Sequence, residues 1–174
     1  MKLLIVGGYG TFGGRIVELL EGEAALSLIV AGRSLSSAKA YCASRGQTAA
    51  TLMAARFDRD GDLAAQLDFL GPDIVIDASG PFQAYGAGAY RLVDACIAAR
   101  IHYLDLADGS AFVEGVAAYD AAAREAGVYV LSGVSSFPVL TAAVVRKLAA
   151  PLARIDEISG GIAPSPFAGV GANV

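Results

Sequence analysis

Three glycines near the amino terminus have a spacing suited to binding a phosphate group. Gly8, Gly10 and Gly13 form G-x-G-x-x-G in the segment LLIVGGYGTFGGRIVELL, between an apolar run typical of a strand and an amphipathic stretch typical of a helix. Such glycines allow a tight turn, close approach of the backbone to a pyrophosphate, and close packing of helix on strand. The alternative is a glycine-rich turn without a ligand. Because strand, loop, helix and second strand follow in order, we favour a dinucleotide-binding loop. Its predicted contact residues are Gly8, Tyr9, Gly10, Thr11, Phe12 and Gly13.

A basic residue follows the second predicted strand. NAD-specific domains usually carry Asp or Glu at this point for the adenosine ribose 2′-hydroxyl, whereas this chain has Arg33 followed by Ser34. An arginine can donate charged hydrogen bonds to a 2′-phosphate, which a carboxylate would repel. With such bonds worth about 1.5–3 kcal/mol, the preference for NADP should be roughly ten- to a hundredfold or more. A solvated surface arginine is the alternative, but the position predicts NADP as the cofactor.

Two further segments are candidates for contacts with the same cofactor. Asp58 follows the third predicted strand, where it either accepts a hydrogen bond from the adenine amino group or caps a helix that starts near Asp60 or Asp62. The fourth strand leads into DASGPFQAYG, which would lie at the carboxyl edge of the sheet, beside the nicotinamide. Ordinary turn chemistry also explains its Gly-Pro pair. The candidate residues of this loop are Ala78, Ser79, Gly80, Pro81 and Phe82.

Alternating strands and helices must position these residues. Short runs rich in Val, Ile and Leu recur between alanine-rich stretches, which predicts an α/β fold with a doubly wound, mostly parallel sheet of the Rossmann type. The predicted strands are Lys2–Val6, Leu26–Ala31, Thr51–Phe57, Asp73–Ala78, His102–Ala107 and Val128–Ser132, with a further one at Arg154–Ala163.

Apolar residues at helical spacing mark the predicted helices between the strands. The sets are Phe12, Ile16, Leu19 and Leu20; Leu63, Leu67 and Leu70; and Leu92, Val93, Cys96 and Ile97. A last helix is expected over Pro138–Leu148. Left-handed glycine caps are expected at Gly22, Gly46, Gly71 and Gly127.

Composition limits the partners. The chain is 55% hydrophobic with a mean hydropathy of +0.55, yet every apolar run is shorter than the ~18 residues a membrane-spanning helix requires. Two distant cysteines and one histidine indicate neither disulfides nor a metal site, and a cytoplasmic location is the simplest expectation. The net charge of −4 argues against nucleic acid. A small-molecule substrate is therefore expected.

The sequence resembles the NADP-binding domain of the saccharopine dehydrogenase-like oxidoreductases. The resemblance rests on GGYGTFGGRI, AGRS, DIVIDASGPFQAYGAGAYRLVDACIAARIHYLDLADGSAFV and SGVSSFPVL, which occur in the familiar order and cover nearly the whole chain. It implies hydride transfer at a C–N bond or a related small-molecule centre. It also implies a second α/β domain that forms much of the substrate site and often the dimer interface.

The resemblance also places Tyr103 and Asp105 on the substrate side, as the family's Tyr-x-Asp at the end of the fifth strand. The alternative is that both finish the strand and cap the following helix. The only histidine, His102, has little claim to catalysis, because a strand-initial histidine is more often packed or at the surface. The sequence does not identify a catalytic acid or base.

The resemblance and the end of the strand pattern lead to expectations about the domain boundaries and the activity of the chain. Residues 1–150 should form the NADP-binding domain and residues 151–174 the start of a truncated substrate and dimerisation domain. The chain alone should be inactive, and it should form a homodimer or dock to the second domain through apolar surface near its carboxyl end. A non-catalytic NADP-sensing or scaffold domain is the alternative function. A carbonyl reductase or sugar-nucleotide epimerase is disfavoured, because no tyrosine from Tyr41 to Tyr129 has a lysine four residues later.

Overall fold

The computed structural model describes residues 1–161, without the side chains of residues 136–138. Its single sheet has six strands in the order β3-β2-β1-β4-β5-β6, and every strand pair is parallel. The doubly wound sheet predicted from the sequence is therefore confirmed. The strands are β1 Lys2–Val6, β2 Ser27–Gly32, β3 Thr51–Arg56, β4 Ile74–Asp77, β5 His102–Asp105 and β6 Val130–Leu131.

The predicted strand at Arg154–Ala163 is wrong over residues 154–161, which have no regular secondary structure, while residues 162 and 163 lie outside the described range. All side chains from residue 151 to residue 161 are exposed. A strand requires a neighbour with which it exchanges backbone hydrogen bonds, and none of the six strands pairs with residues 154–161. A Val- or Ile-rich composition does not by itself supply that neighbour.

Seven α-helices occur in the described part of the chain, joined in places by short 3₁₀ turns. The helices are α1 Thr11–Leu20, α2 Leu35–Ser44, α3 Leu63–Leu70, α4 Arg91–Ala98, α5 Ser110–Gly115, α6 Asp120–Ala126 and α7 Ser136–Ala149. The apolar faces predicted for α3 and α4 are confirmed, because Leu63, Leu67 and Leu70 are buried in one and Leu92, Val93 and Cys96 in the other. The predicted last helix is also confirmed and begins at Ser136.

The face that α1 presents to the sheet differs from the prediction. Phe12 and Leu19 are exposed, and the buried residues are Gly13, Gly14 and Val17. A side chain at Gly13 would overlap backbone atoms of the preceding glycine turn, so the helix lies close to the sheet along its glycine side. Periodicity of large apolar residues missed this face because glycines carry no hydropathy signal.

Three of the four expected left-handed caps are confirmed. Gly46, Gly71 and Gly127 have φ angles of +69°, +53° and +73°. Gly22 is not a left-handed cap. Helix α1 ends at Leu20, its C-cap Glu21 has a right-handed φ of −64°, and Gly22 in the turn that follows has no positive φ. Glycine identity alone therefore overpredicts this conformation.

Apolar residues fill both faces of the sheet. Alternate residues of β1 point to opposite sides, so Leu4 and Val6 belong to one core cluster while Leu3 and Ile5 belong to the other. Such double burial is typical of a parallel sheet covered by helices on both faces. None of the helices within residues 1–161 is long and apolar enough to cross a membrane.

Candidate functional site

A cleft of about 780 Å³ opens at the carboxyl edge of the sheet. The strand order reverses between β1 and β4, and the loops after β1, β2, β3 and β4 all line the cleft. Open α/β sheets bind ligands at this switch point. Ten residues predicted as cofactor contacts line it, namely Tyr9, Gly10, Thr11, Phe12, Arg33, Asp58, Ala78, Ser79, Gly80 and Pro81. The other four predicted contacts do not, namely Gly8, Gly13, Ser34 and Phe82.

The glycines after β1 have separate structural roles. The tight turn lies at Gly7, whose φ is +76° and which the sequence motif did not include. A side chain at Gly8 would approach the Ile5 carbonyl oxygen within 2.8 Å, so this glycine permits packing against the strands. The same holds for Gly13 on the helix side. Adjacent glycines in VGGYG were the available signal for the turn.

Gly10 is the residue of the loop that faces the open cleft. It is the N-cap of α1 and provides no side-chain cap, so the first-turn N–H groups of the helix have no side-chain acceptor from it. A Cβ at Gly10 would lie 3.2 Å from the Gly7 carbonyl oxygen and otherwise stand in open space. These exposed donors at a helix N-terminus fit a pyrophosphate.

Tyr9 forms a wall of the cleft on the β2 side. Its hydroxyl oxygen accepts a hydrogen bond from the Ser34 backbone N–H at 3.0 Å. The Tyr9 ring lies directly over Gly32, where an added Cβ would be only 2.6 Å from the hydroxyl oxygen. Gly32 is therefore required for this arrangement, and the glycine in AGRS was its signal in the sequence.

The two residues predicted to select the 2′-phosphate have different environments. Arg33 is exposed, lines the cleft and forms no salt bridge with any carboxylate of the described residues. Ser34 is instead the N-cap of α2, and its Oγ accepts from the Ser37 backbone N–H at 3.2 Å. The Ser34 and Ser36 hydroxyls also lie 3.0 Å apart. Arg33 is thus free to bind an anion, whereas the Ser34 hydroxyl is already engaged.

Asp58 is not a helix cap. The N-cap of α3 is Asp62, whose Oδ1 accepts from the Ala65 N–H at 3.0 Å. The Asp58 Oδ1 accepts from the Asp60 N–H at 3.1 Å, and the residue lines the cleft. Its contact with adenine remains a prediction.

An ionisable network that the sequence did not reveal lies beneath the loop after β4. Asp77 is fully buried, and its Oδ1 accepts from the Ser79 hydroxyl at 2.6 Å and the Ser79 N–H at 3.0 Å. The Ser79 hydroxyl also lies 3.0 Å from the Tyr85 hydroxyl. Arg59 Nε lies 3.4 Å from Asp77 Oδ2. Burial raises the pKa of Asp77, and the Arg59 charge and the Ser79 hydrogen bonds oppose that rise.

A second, smaller cavity of about 140 Å³ adjoins the part of the cleft that the loop after β4 lines. Phe12 and Phe82 form part of its apolar wall, so Phe82 faces this cavity and not the main cleft. Gln83 Nε2 donates to Asp108 Oδ1 at 2.7 Å and joins the loops after β4 and β5. Both of these polar residues line the cavity.

Tyr103 and Asp105 are fully buried and line neither cavity. Asp105 Oδ1 accepts from the N–H groups of Ala107 and Gly133, at 2.9 and 2.8 Å, and thus joins the loops after β5 and β6. Asp105 does not cap the next helix, because the N-cap of α5 is Gly109. A substrate-side role for this pair remains a prediction.

His102 lies at the opposite, amino-terminal end of β5. Its Nδ1 accepts from the Tyr129 N–H at 3.0 Å, and the two rings are 5.5 Å apart between centroids. The histidine therefore has a packing role away from the cleft, as expected from the sequence.

Comparison with protein families gives a match that covers most of the described chain. The model of the saccharopine dehydrogenase NADP binding domain matches residues 3–131. This range includes the glycine loop, Arg33, the Asp77 network and β6 up to Leu131. A search of curated proteins finds no match to this chain.

Solved oxidoreductases share the fold. Apo saccharopine dehydrogenase (L-Glu forming) from Saccharomyces cerevisiae has a TM-score of 0.67 at 18% identity, over 87% of this chain and 31% of its own. An NAD binding oxidoreductase from Klebsiella pneumoniae has a TM-score of 0.58 at 20% identity, over 87% of this chain and 39% of its own. Biliverdin reductase from Synechocystis, solved with biliverdin and NADP⁺, has a TM-score of 0.53 at 20% identity, over 84% and 42%. This chain therefore spans less than half the length of each of these proteins.

Proposed function

The chain belongs to the saccharopine dehydrogenase NADP-binding domain family, and on that basis we propose that it is the cofactor domain of an NADP-dependent oxidoreductase acting at a C–N bond or a related small-molecule centre. The observation that carries the proposal is the single cleft that joins the glycine loop, Arg33 and the Ser79–Pro81 turn. NADP binding is the family's shared property, whereas the bond and the substrate belong to the proposal.

The residues of the cleft fit the parts of NADP. The first-turn N–H groups of α1 would hold the pyrophosphate, because Gly10 leaves them open. The Arg33 guanidinium would bind the 2′-phosphate at the start of α2. The turn at Gly80 and Pro81 lines both cavities and would hold the nicotinamide side. Bound NADP supplies the hydride donor or acceptor, and the protein supplies position and electrostatics.

The polar groups of the smaller cavity are candidates for contact with a substrate. Gln83 and Asp108 line it together with Ser135, and one amide and one carboxylate suit a nitrogen-containing group. This supports the proposed C–N chemistry. Neither side chain is assigned here as the catalytic acid or base.

A non-catalytic NADP-sensing domain is the second candidate function. One observation favours it: Tyr103 and Asp105, the pair that the family resemblance placed on the substrate side, are buried outside both cavities. With this function, the chain would bind NADP and change its contacts with a partner, and it would not convert a substrate.

Two experiments separate the candidates. Calorimetric titration of this chain with NADPH and NADH tests cofactor binding, and tighter binding of NADPH is expected. The full-length gene product is then assayed for NADPH oxidation with a panel of imines and keto acids. Turnover of an imine supports the oxidoreductase, whereas tight NADPH binding without turnover of any member supports the sensor. Absence of NADPH binding contradicts both.

A further inference from the structure

Asp77 fixes the shape of the turn on the nicotinamide side of the cleft. It is the last residue of β4 and fully buried, and one carboxylate oxygen accepts both the hydroxyl and the backbone N–H of Ser79. Ser79 is followed by Gly80 and Pro81, which line the main cleft and the smaller cavity. Both bonds to Ser79 require an acceptor, and an ionised carboxylate is a stronger acceptor than a protonated carboxyl group.

Arg59 supplies the positive charge that Asp77 faces. It reaches from the loop after β3 to the end of β4, where its Nε lies 3.4 Å from Asp77 Oδ2. The Arg59 Nε makes no hydrogen bond in the described structure, so its contact with Asp77 is an ion pair without a hydrogen bond. The Arg59 side chain is only 15% exposed, and charge pairs are screened little at such burial.

Two further contacts hold the Arg59 guanidinium in place. Its central carbon lies 3.7 Å from the centroid of the Tyr85 ring, a cation–π arrangement. Its Nη2 donates to the Ala89 carbonyl oxygen at 3.3 Å. Tyr85 in turn lies within hydrogen-bond distance of the Ser79 hydroxyl. The arginine, the tyrosine and the Ser79 turn thus form one packed unit.

The other groups that face Asp77 do not compensate its charge. On β5, Asp105 pairs with Asp77 in register and repels it, and the Tyr103 hydroxyl lies 3.5 Å from Asp77 Oδ2. On α4, burial raises the pKa of the Cys96 thiol, and the charge of Asp77 raises it further. Within residues 1–161, Arg59 is the only side-chain cation within ion-pair distance of Asp77.

We propose that Arg59 is a positioning residue of the cofactor cleft: its ion pair with Asp77 Oδ2 holds that carboxyl group in place, and Asp77 holds the Ser79–Pro81 turn in the shape that receives the nicotinamide side of the dinucleotide. The effect on cofactor affinity rests on the proposed NADP binding. The dependence of the turn on Arg59 does not rest on NADP binding and can be tested without cofactor.

The direction of the effect follows from the environment of Asp77. Burial and Asp105 raise the pKa of Asp77, and Arg59 lowers it. Without the arginine, the pKa rises further and the carboxyl group takes up a proton at a higher pH. A protonated carboxyl has an O–H that donates, so it loses part of its capacity to accept from Ser79. The turn then loosens on the acid side and is restored as the pH increases.

The central experiment measures NADPH affinity by calorimetry between about pH 6 and pH 9 for wild type, Arg59→Met and Arg59→Lys. We expect Arg59→Met to bind NADPH roughly tenfold more weakly at the acid end and to recover most of that loss at the alkaline end, because ionisation of Asp77 restores the stronger acceptor for Ser79. Arg59→Lys keeps a charge and should retain most of the affinity. Arg124→Met, an exposed arginine on α6, is the matched control and should leave affinity unchanged.

A second measurement needs no cofactor. Hydrogen exchange of the Ser79 amide, whose N–H donates to Asp77, should be faster in Arg59→Met than in wild type at the same pH, with the difference shrinking as pH increases. Thermal unfolding checks that each variant is folded. If Arg59→Met does not fold, Arg59→Lys and Asp77→Asn carry the test. Asp77→Asn should bind weakly at every pH, whereas Arg59→Lys should follow the wild-type profile.

The outcomes are distinct. A loss of affinity in Arg59→Met that is the same at every pH, with Ser79 exchange unchanged, would mean that Arg59 contacts the cofactor directly and would overturn the proposal. Unchanged affinity and exchange would also overturn it. If wild type binds no NADPH, the proposed function fails, and Ser79 exchange alone decides whether Arg59 holds the turn.

Discussion

Replacement of Arg33 by alanine should remove most of the preference for NADPH over NADH. Arg33 is exposed at the mouth of the cleft and has no carboxylate partner among the described residues, so the free protein loses no native ion pair when it is replaced. The Ser34 hydroxyl caps α2, so the discrimination rests mainly on the guanidinium. The expected loss is therefore specific to the cofactor that carries the 2′-phosphate.

The magnitude follows from the exposure of the side chain. A charged hydrogen-bonding contact contributes about 1.5–3 kcal/mol, and an exposed one belongs at the lower end because water and salt screen it. A loss of about 1.5–2 kcal/mol corresponds to NADPH binding roughly 10- to 30-fold weaker. NADH affinity should change less than about twofold, since NADH has no 2′-phosphate.

Calorimetric titrations of wild type and Arg33→Ala with both cofactors measure this ratio. Arg33→Asp should go further and favour NADH, because a carboxylate repels the phosphate and can accept from the ribose hydroxyl. Arg124→Ala serves as the control for loss of an exposed arginine outside the cleft. Equal losses for NADPH and NADH in Arg33→Ala, or an unchanged ratio, would refute the reasoning.

Four further predictions concern the loop, the network, the surface and the activity. Gly10→Val should abolish binding of both cofactors in calorimetry while the thermal melt stays near wild type, since its side chain would stand in the open cleft; retained binding would contradict this. Because folding raises the pKa of Asp77, its ionisation costs stability as the pH rises from the unfolded value near 4 through the folded pKa. The Tm of Asp77→Asn should therefore decrease less with increasing pH over that range than the Tm of wild type. Parallel Tm curves for the two proteins would count against this prediction. The chain should self-associate in light scattering over a dilution series, because Val139, Leu140, Val144 and Leu148 of α7 are exposed as the sequence predicted; a strictly monomeric species without apolar-dye binding would disprove this. The purified chain should show no robust substrate-dependent NADPH oxidation, and its detection would show that the catalytic groups are already present.

Local sequence patterns were sufficient to predict the elements. The six strands lie where short Val-, Ile- and Leu-rich runs predicted them, with ends that differ by at most two residues. The leucine spacing of α3 and the glycine caps at Gly46, Gly71 and Gly127 were also correct. These features depend on side-chain periodicity and on the backbone freedom of single glycines. Both are local properties that can be read from a few consecutive residues. The site followed in part because the carboxyl ends of parallel strands meet at one edge.

The tertiary structure alone decided which side chains share an environment. Arg59 and Asp77 are both charged residues near strand ends in the sequence, and nothing local distinguishes them from Asp60 or Arg56. They meet because the chain after β3 runs to α3, which packs in the same core cluster as β4, so that Arg59 in this connection can reach the end of β4. The same applies to Tyr103, whose complete burial in the core was not evident from the sequence. Burial, pairing and pKa depend on neighbours distant in sequence, and only the folded arrangement specifies those neighbours.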